Sequence, residues 1–242
     1  MHHQSDRSNV AWDIETTGFG WSAEITVSGF WFPHGHATLI INVGPHSVDK
    51  QDFVDRLTGV SGVPVSLFVA SDEGELLSEM KRVVFERFDR EYNRLVAYNA
   101  DSWKGGFDLP FTRTRCIRQG VDWMFDGVLF ADLWEPVKKR LNTTYTAYGS
   151  SANVNSLTGS YNLLLGQNNR LPMLLDDLED HSWYYESPYD PFEDSGSAAA
   201  HYREGNLLPV LEHNLADIHR TWELAELIRR FVSSKDISEK KL

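Results

Sequence analysis

The run Asn9-Val10-Ala11-Trp12-Asp13-Ile14-Glu15, closed by Thr16-Thr17-Gly18, sets how the rest of this chain is read. It has the length and composition of a β-strand and ends in a turn tripeptide. Side chains alternate along a strand, so Asp13 and Glu15 project from one face, roughly 6–7 Å apart, and Trp12 and Ile14 from the other. Two carboxylates on an apolar strand lose hydration and repel each other, a cost that a cation between them would offset. Hard divalent ions such as Mg²⁺ or Mn²⁺ take oxygen ligands of this kind. The Thr16-Thr17-Gly18 turn is expected to expose backbone N–H groups and hydroxyls beside that face, placed for a phosphate or a sugar.

Outward from this strand, Ile25 to Phe32 and His36 to Val43 read as two more strands, joined by a turn at Pro33-His34-Gly35. Residues 48–66 are polar and contain Gly and Pro, which suggests loop with a short helix. Glu73 to Asp89 has helical spacing, Arg94 to Tyr98 is a fourth strand, Asp108 to Gln119 a helix and Val128 to Leu133 a fifth strand. A hairpin edge followed by β-α-β crossovers predicts an α/β fold with a five-stranded mixed sheet, three antiparallel strands then two parallel, flanked by helices. Residues 142–206 are less regular, with a short apolar helix at Leu157 to Leu165 and an acidic, aromatic stretch from Asp176 to Ser197. With no repeat and no linker, residues 1–242 are expected to form a single domain with insertions around 48–70 and 142–206. The last helix carries one apolar stripe, Leu211, Leu215, Ile218, Trp222, Ala225, Ile228 and Val232, at spacings of three and four. Pro209 suits its first turn.

Bulk composition narrows the class. The chain has 242 residues, 41% hydrophobic and 12% aromatic, enough for a sizeable core and against disorder. No stretch approaches the roughly 20 apolar residues of a membrane helix, so no membrane partner is expected. Residues 1–6 hold no apolar signal region, and the single Cys116 cannot form an internal disulfide, which fits a reducing cytoplasm. The net charge of −12 runs against a protein that grips phosphates through a basic surface. A divalent metal site would supply the positive charge instead.

Two further groups of residues bear on the chemistry. Tyr98-Asn99-Ala100-Asp101 is followed by Gly106-Phe107-Asp108-Leu109-Pro110-Phe111, which puts Asp108 at the start of a helix. Asp108 would serve as an N-cap there, a position that also brings a carboxylate to the mouth of the sheet. Asp101 is a rival for the same place. In His213-Asn214-Leu215-Ala216-Asp217, His213 and Asp217 share one helical face away from the apolar stripe, facing either a cleft or water.

Asp13-Ile14-Glu15-Thr16-Thr17-Gly18 resembles the first motif of the DEDD-type 3′–5′ exonuclease superfamily, whose fold is ribonuclease-H-like and which includes polymerase proofreading exonuclease domains. The block around Asp108 is similar to the second motif in the family-B proofreading version, and His213 to Asp217 looks like the third. The resemblance spans roughly residues 9–232. One departure stands out. One subclass has Tyr four residues before the last metal-binding Asp and the other has His five residues before; here His213 sits at the tyrosine spacing and Glu212 at the other.

The resemblance implies a metal-dependent nuclease that hydrolyses DNA or RNA from the 3′ end with two Mg²⁺ or Mn²⁺ ions. Asp13, Glu15, Asp108 and Asp217 would be metal ligands, and His213 would position or deprotonate the attacking water. Thr16, Thr17, Gly18 and Asn99 would bind the terminal nucleotide of a single-stranded or 3′-ended nucleic acid, with Lys104, Arg113 and Arg115 near its backbone. The rival expectation is a catalytically inactive ribonuclease-H-like relative that binds nucleic acid or a protein partner.

Overall fold

The computed structural model describes residues 7–101, 106–147, 150–166, 189–192 and 196–242. Its strands are β1 (Ser8–Thr16), β2 (Ile25–Phe32), β3 (His36–Asn42), β4 (Val65–Ala70), β5 (Asn93–Ala97), β6 (Leu129–Asp132), β7 (Thr144–Ala147), β8 (Ser150–Asn153) and β9 (Glu239–Lys241). Seven of them form one mixed sheet in the order β4-β3-β2-β1-β5-β6-β9, and β7 and β8 pair as a separate hairpin. The expected meander of β1, β2 and β3 is antiparallel, and β5 and β6 run parallel to β1.

The five-strand expectation is corrected at both edges. Residues 48–66 do hold the expected helix, but it takes up most of the stretch: Asp49 accepts hydrogen bonds from the backbone N–H of Gln51 and Asp52 and starts helix α1 (Lys50–Ser61), which Gly62 ends in the left-handed region at φ 68°. The chain then re-enters the sheet as β4, parallel to β3. At the other edge β9 pairs antiparallel with β6. Its three residues are charged and exposed, so no hydrophobic pattern announces it. Lys240 pairs with Asp101, and Arg94 with Glu239. Such charges suit an edge strand that must not recruit another.

Helices cover both faces. Helices α2 (Glu73–Arg87) and α3 (Asp108–Gln119) pack on the side of Val10, Trp12 and Ile14. They are tied together by Glu73, which is buried and accepts from Arg115, from Gln119 and from the backbone N–H of Ile25. The opposite face, that of Ala11, packs against α1, helix α4 (Trp134–Arg140), a short helix Gly196–Arg203 and the long helix Leu207–Phe231. Every residue of the predicted apolar stripe, Leu211 through Val232, is buried. Among the described residues no helix is long and apolar enough to cross a membrane.

The long helix approaches the sheet closely at Gly29, which pairs with Asp13 across β1 and β2. A Cβ added there would lie 2.1 Å from Asn214 Oδ1 and 3.1 Å from Ile218 Cδ1. Glycine therefore lets the helix lie against the strand beside the first carboxylate.

Candidate metal centre

Asp13 and Glu15 stand on the sheet face that meets the long helix, as their alternation with Trp12 and Ile14 requires. They lie near the carboxyl end of β1, where the chain runs on to β2 on one side and β5 lies on the other. Open α/β sheets commonly place ligand clefts at such ends. A cleft of about 440 Å³ opens here, lined by Asp13, Glu15, Asp108 and Asp217 and by the Thr16-Thr17-Gly18 turn and Asn99. Three distant stretches of sequence thus meet at one cavity.

Each carboxylate is positioned by a different element. Asp108 is the first residue of α3, but it is not the cap expected from the sequence. Phe107 holds that position and no side-chain hydrogen bond caps the helix, so the Asp108 carboxylate is left to face the cleft. Asp101, the rival, is drawn to Lys240 on β9. Asp13 Oδ2 accepts from Asn214 Nδ2 at 2.9 Å. Asp217 Oδ1 accepts from Arg220 Nη1 at 2.9 Å, which leaves Oδ2 turned toward His213 Nε2 at 3.7 Å. The same Nε2 is 3.8 Å from Glu15 Oε1.

His213 does not face water. It is 4% exposed, and its Nδ1 donates to Asp190 Oδ1 at 2.8 Å. Asp190 spends its other oxygen on Arg220. It reaches the long helix because its neighbours dock there as well: the Tyr189 hydroxyl meets His219 Nδ1 at 2.8 Å, and the Phe192 ring packs edge-on against His213. His213 Nε2 is buried without a hydrogen-bond partner. One ligand atom each from Glu15, His213 and Asp217 fall within 4.8 Å of one another, a group that could hold a metal ion.

The electrostatics are those of a crowded anionic cage. Burial, then the charges of Asp108, Glu15 and Asp217, raise Asp13 well above its ordinary value. Burial, then Asp217, Asp108 and Asp190, do the same to Glu15. Asp108 is pushed up to about 8 by burial and by Asp132 and Asp217. Burial also raises Asp217, against the pull of His213 and Arg220. Asp190 goes the other way: burial pushes it up, but the hydrogen bond and charge of His213 and the charge of Arg220 together hold it below its usual range. Burial opposes protonation of His213, yet Asp190 and Asp217 outweigh it and raise the ring.

Other expected residues play different parts. The Thr16 hydroxyl donates to the Gly18 carbonyl at 2.8 Å, and the Thr17 hydroxyl accepts from the Glu24 N–H at 3.0 Å. The turn therefore uses both hydroxyls internally, and the Thr17 N–H is also taken, by the Glu24 carbonyl. Asn99 adopts a left-handed φ of 59° as its N–H reaches Asp132 Oδ1 at 2.9 Å. Arg115 is buried against Glu73, out of reach of any ligand, and Arg113 stacks on the Trp123 ring. Lys104 lies outside the described residues.

Asp190, Asn214, Arg220 and Arg203 were not singled out from the sequence. Arg203 lines the cleft and donates to the Thr17 carbonyl. Arg220 is three residues after Asp217, a readable helical spacing. Asp190 lies in an irregular acidic stretch with no signal at all. No family model and no curated protein matches this chain.

Proposed function

We propose that this protein is a metal-dependent 3′–5′ exonuclease of the DEDD type, hydrolysing phosphodiester bonds at the end of a nucleic-acid strand that enters the 440 Å³ cleft. The observation that carries the reading is the convergence of Asp13, Glu15, Asp108 and Asp217 on that cleft, backed by an orphaned, buried His213 Nε2. Carboxylates raised by burial and mutual repulsion are costly in a resting fold and useful to a cation. The immediate cluster holds five carboxylates, Asp13, Glu15, Asp108, Asp190 and Asp217, against the guanidinium of Arg220. When all are ionised, the surplus negative charge is one that bound divalent cations would offset.

Asp13, Glu15, Asp108 and Asp217 are the residues that would hold Mg²⁺ or Mn²⁺. Bound divalent cations supply Lewis acidity, an acidified water and stabilisation of the leaving oxygen. The chain itself orients these ligands: Asn214 holds Asp13, and Arg220 holds Asp217. Arg203, at the cleft wall, would meet a substrate phosphate. The Thr16-Thr17-Gly18 turn and Asn99 would bound the terminal nucleotide.

Digestion of 3′-ended DNA and RNA oligonucleotides with Mg²⁺ or Mn²⁺ tests the reading, with circular strands as control. Release of mononucleotides from linear strands, abolished in Asp217→Ala, is expected. Cutting of the circle would mean an endonuclease. Metal binding without any cleavage would favour an inactive binding protein.

A further inference from the structure

We propose that His213 is itself a metal ligand through Nε2, so that the ion shared with Glu15 and Asp217 sits in a mixed imidazole–carboxylate site. An imidazole ligand favours a transition-series cation, Zn²⁺ most and the harder Mn²⁺ less, over Mg²⁺. The inference rests on the metal-dependent reading above and gives His213 a role other than moving the proton of the attacking water.

The arrangement around the ring is what assigns it. Asp190 accepts from Nδ1 at 2.8 Å, so Nδ1 carries a hydrogen whether the ring is neutral or charged, and Nε2 is the one nitrogen left to bind anything. That atom is buried and has no hydrogen-bond partner. Its neighbours, Glu15 Oε1 at 3.8 Å and Asp217 Oδ2 at 3.7 Å, are beyond hydrogen-bond reach. A donor left in that position would be unsatisfied at appreciable cost. Atoms that share one ion through bonds of about 2.0–2.2 Å stand roughly 3–4 Å apart, which is the separation of Nε2 from each of the two carboxylate oxygens.

Position relative to the cleft separates ligand from base. Glu15 and Asp217 line the cavity, whereas His213 does not; it lies behind them with a side chain 5% exposed. A base must reach a proton on the substrate side, while a ligand may approach from the rear. The outer contacts are also those of a ligand set. Asp190 locks the His213 tautomer and Arg220 holds Asp217 by Oδ1, so that Oδ2 points inward. Carboxylate partners of this kind orient metal-bound histidines and raise their basicity.

The test is pulsed EPR of the full protein titrated with Mn²⁺, read for coupling to an imidazole nitrogen. Coupling is expected in the wild type and lost in His213→Gln. Asp190→Asn keeps the ring and its packing. The amide has one acceptor, which Arg220 claims, so its NH₂ faces Nδ1 and moves the ring hydrogen to Nε2. Mn²⁺ affinity should then fall about 10–100-fold, and Mg²⁺ affinity by less, with an unchanged circular-dichroism spectrum. Saturable Mn²⁺ binding with no nitrogen coupling overturns the inference and leaves the metal reading standing. No saturable Mn²⁺ binding at all overturns both. The wild-type spectrum decides by itself, so a variant that fails to fold does not blunt the test.

Discussion

At the residue, the cost of the site is electrostatic, and it has a sign that can be measured. Asp13 and Glu15 are raised by burial and by one another, and Asp108 is raised from 3.8 to about 8. The folded protein therefore binds protons more tightly than the unfolded chain. Stability from these groups is greatest below the ordinary carboxylate range and falls as pH climbs toward about 8. Asp190, which is lowered, acts oppositely, and only at acid pH. Metal-free thermal melts should show Tm dropping across that window, with Mn²⁺ reversing the drop; a Tm that rises with pH would mean the carboxylates ionise without penalty. Asp13→Asn should lower metal-dependent cleavage by about 10²–10³-fold, the equivalent of several kcal/mol of lost charge stabilisation. The same change should leave the metal-free Tm equal or higher. A loss of several kcal/mol without metal would instead make Asp13 a member of an internal structural network.

At the level of elements, the site depends on how closely the long helix lies on the sheet. Gly29→Ala would drive a methyl into Asn214 and Ile218, and overpacking of that kind costs about 1–3 kcal/mol. Because Asn214 holds Asp13, Mn²⁺ affinity should fall with stability. Glu73→Ala provides the contrast: removing one partner of a buried pair costs about 3–5 kcal/mol, yet the Glu73–Arg115 clamp reaches the site only through Asp108 on α3, so Mn²⁺ affinity should fall less than in Gly29→Ala. Denaturant melts paired with Mn²⁺ titration of both variants check the distinction; equal effects on affinity would show that the helix contact has no special hold on the site. The same elements show what was readable from pattern. The alternation of Trp12-Asp13-Ile14-Glu15 and the stripe from Leu211 to Val232 are strong periodic signals, and both elements form where expected. Strand β4 follows a helix whose polar run looks like loop, and β9 is three charged residues recruited by Asp101 and Arg94. The apolar run of β4 has the composition of a strand, whereas β9 has no period to detect.

Across the whole molecule, a net charge of −12 means that, on the proposed reading, a bound cation would have to bridge to an anionic substrate. Among the described residues, Arg203 is the cation that lines the cleft. Few phosphates can then be neutralised by side chains, and few counterions released. The affinity for a 3′-ended oligonucleotide should be negligible in chelator, appear with Mn²⁺, and vary with salt at a log–log slope of roughly −2 or shallower. Filter binding over a salt series measures it, and a steep slope with strong binding in chelator would point to a basic face elsewhere. Local order made the α/β class, the core-facing stripe and the carboxylates of β1 legible in one dimension, because periodicity and alternation are properties of neighbours along the chain. Which carboxylate faces the cleft, Asp108 or Asp101, was settled by packing, as was the burial of His213. Asp190, which enters from an irregular insertion to fix that ring, had no local mark, because a contact across 23 residues depends on where two elements come to rest and not on what either spells.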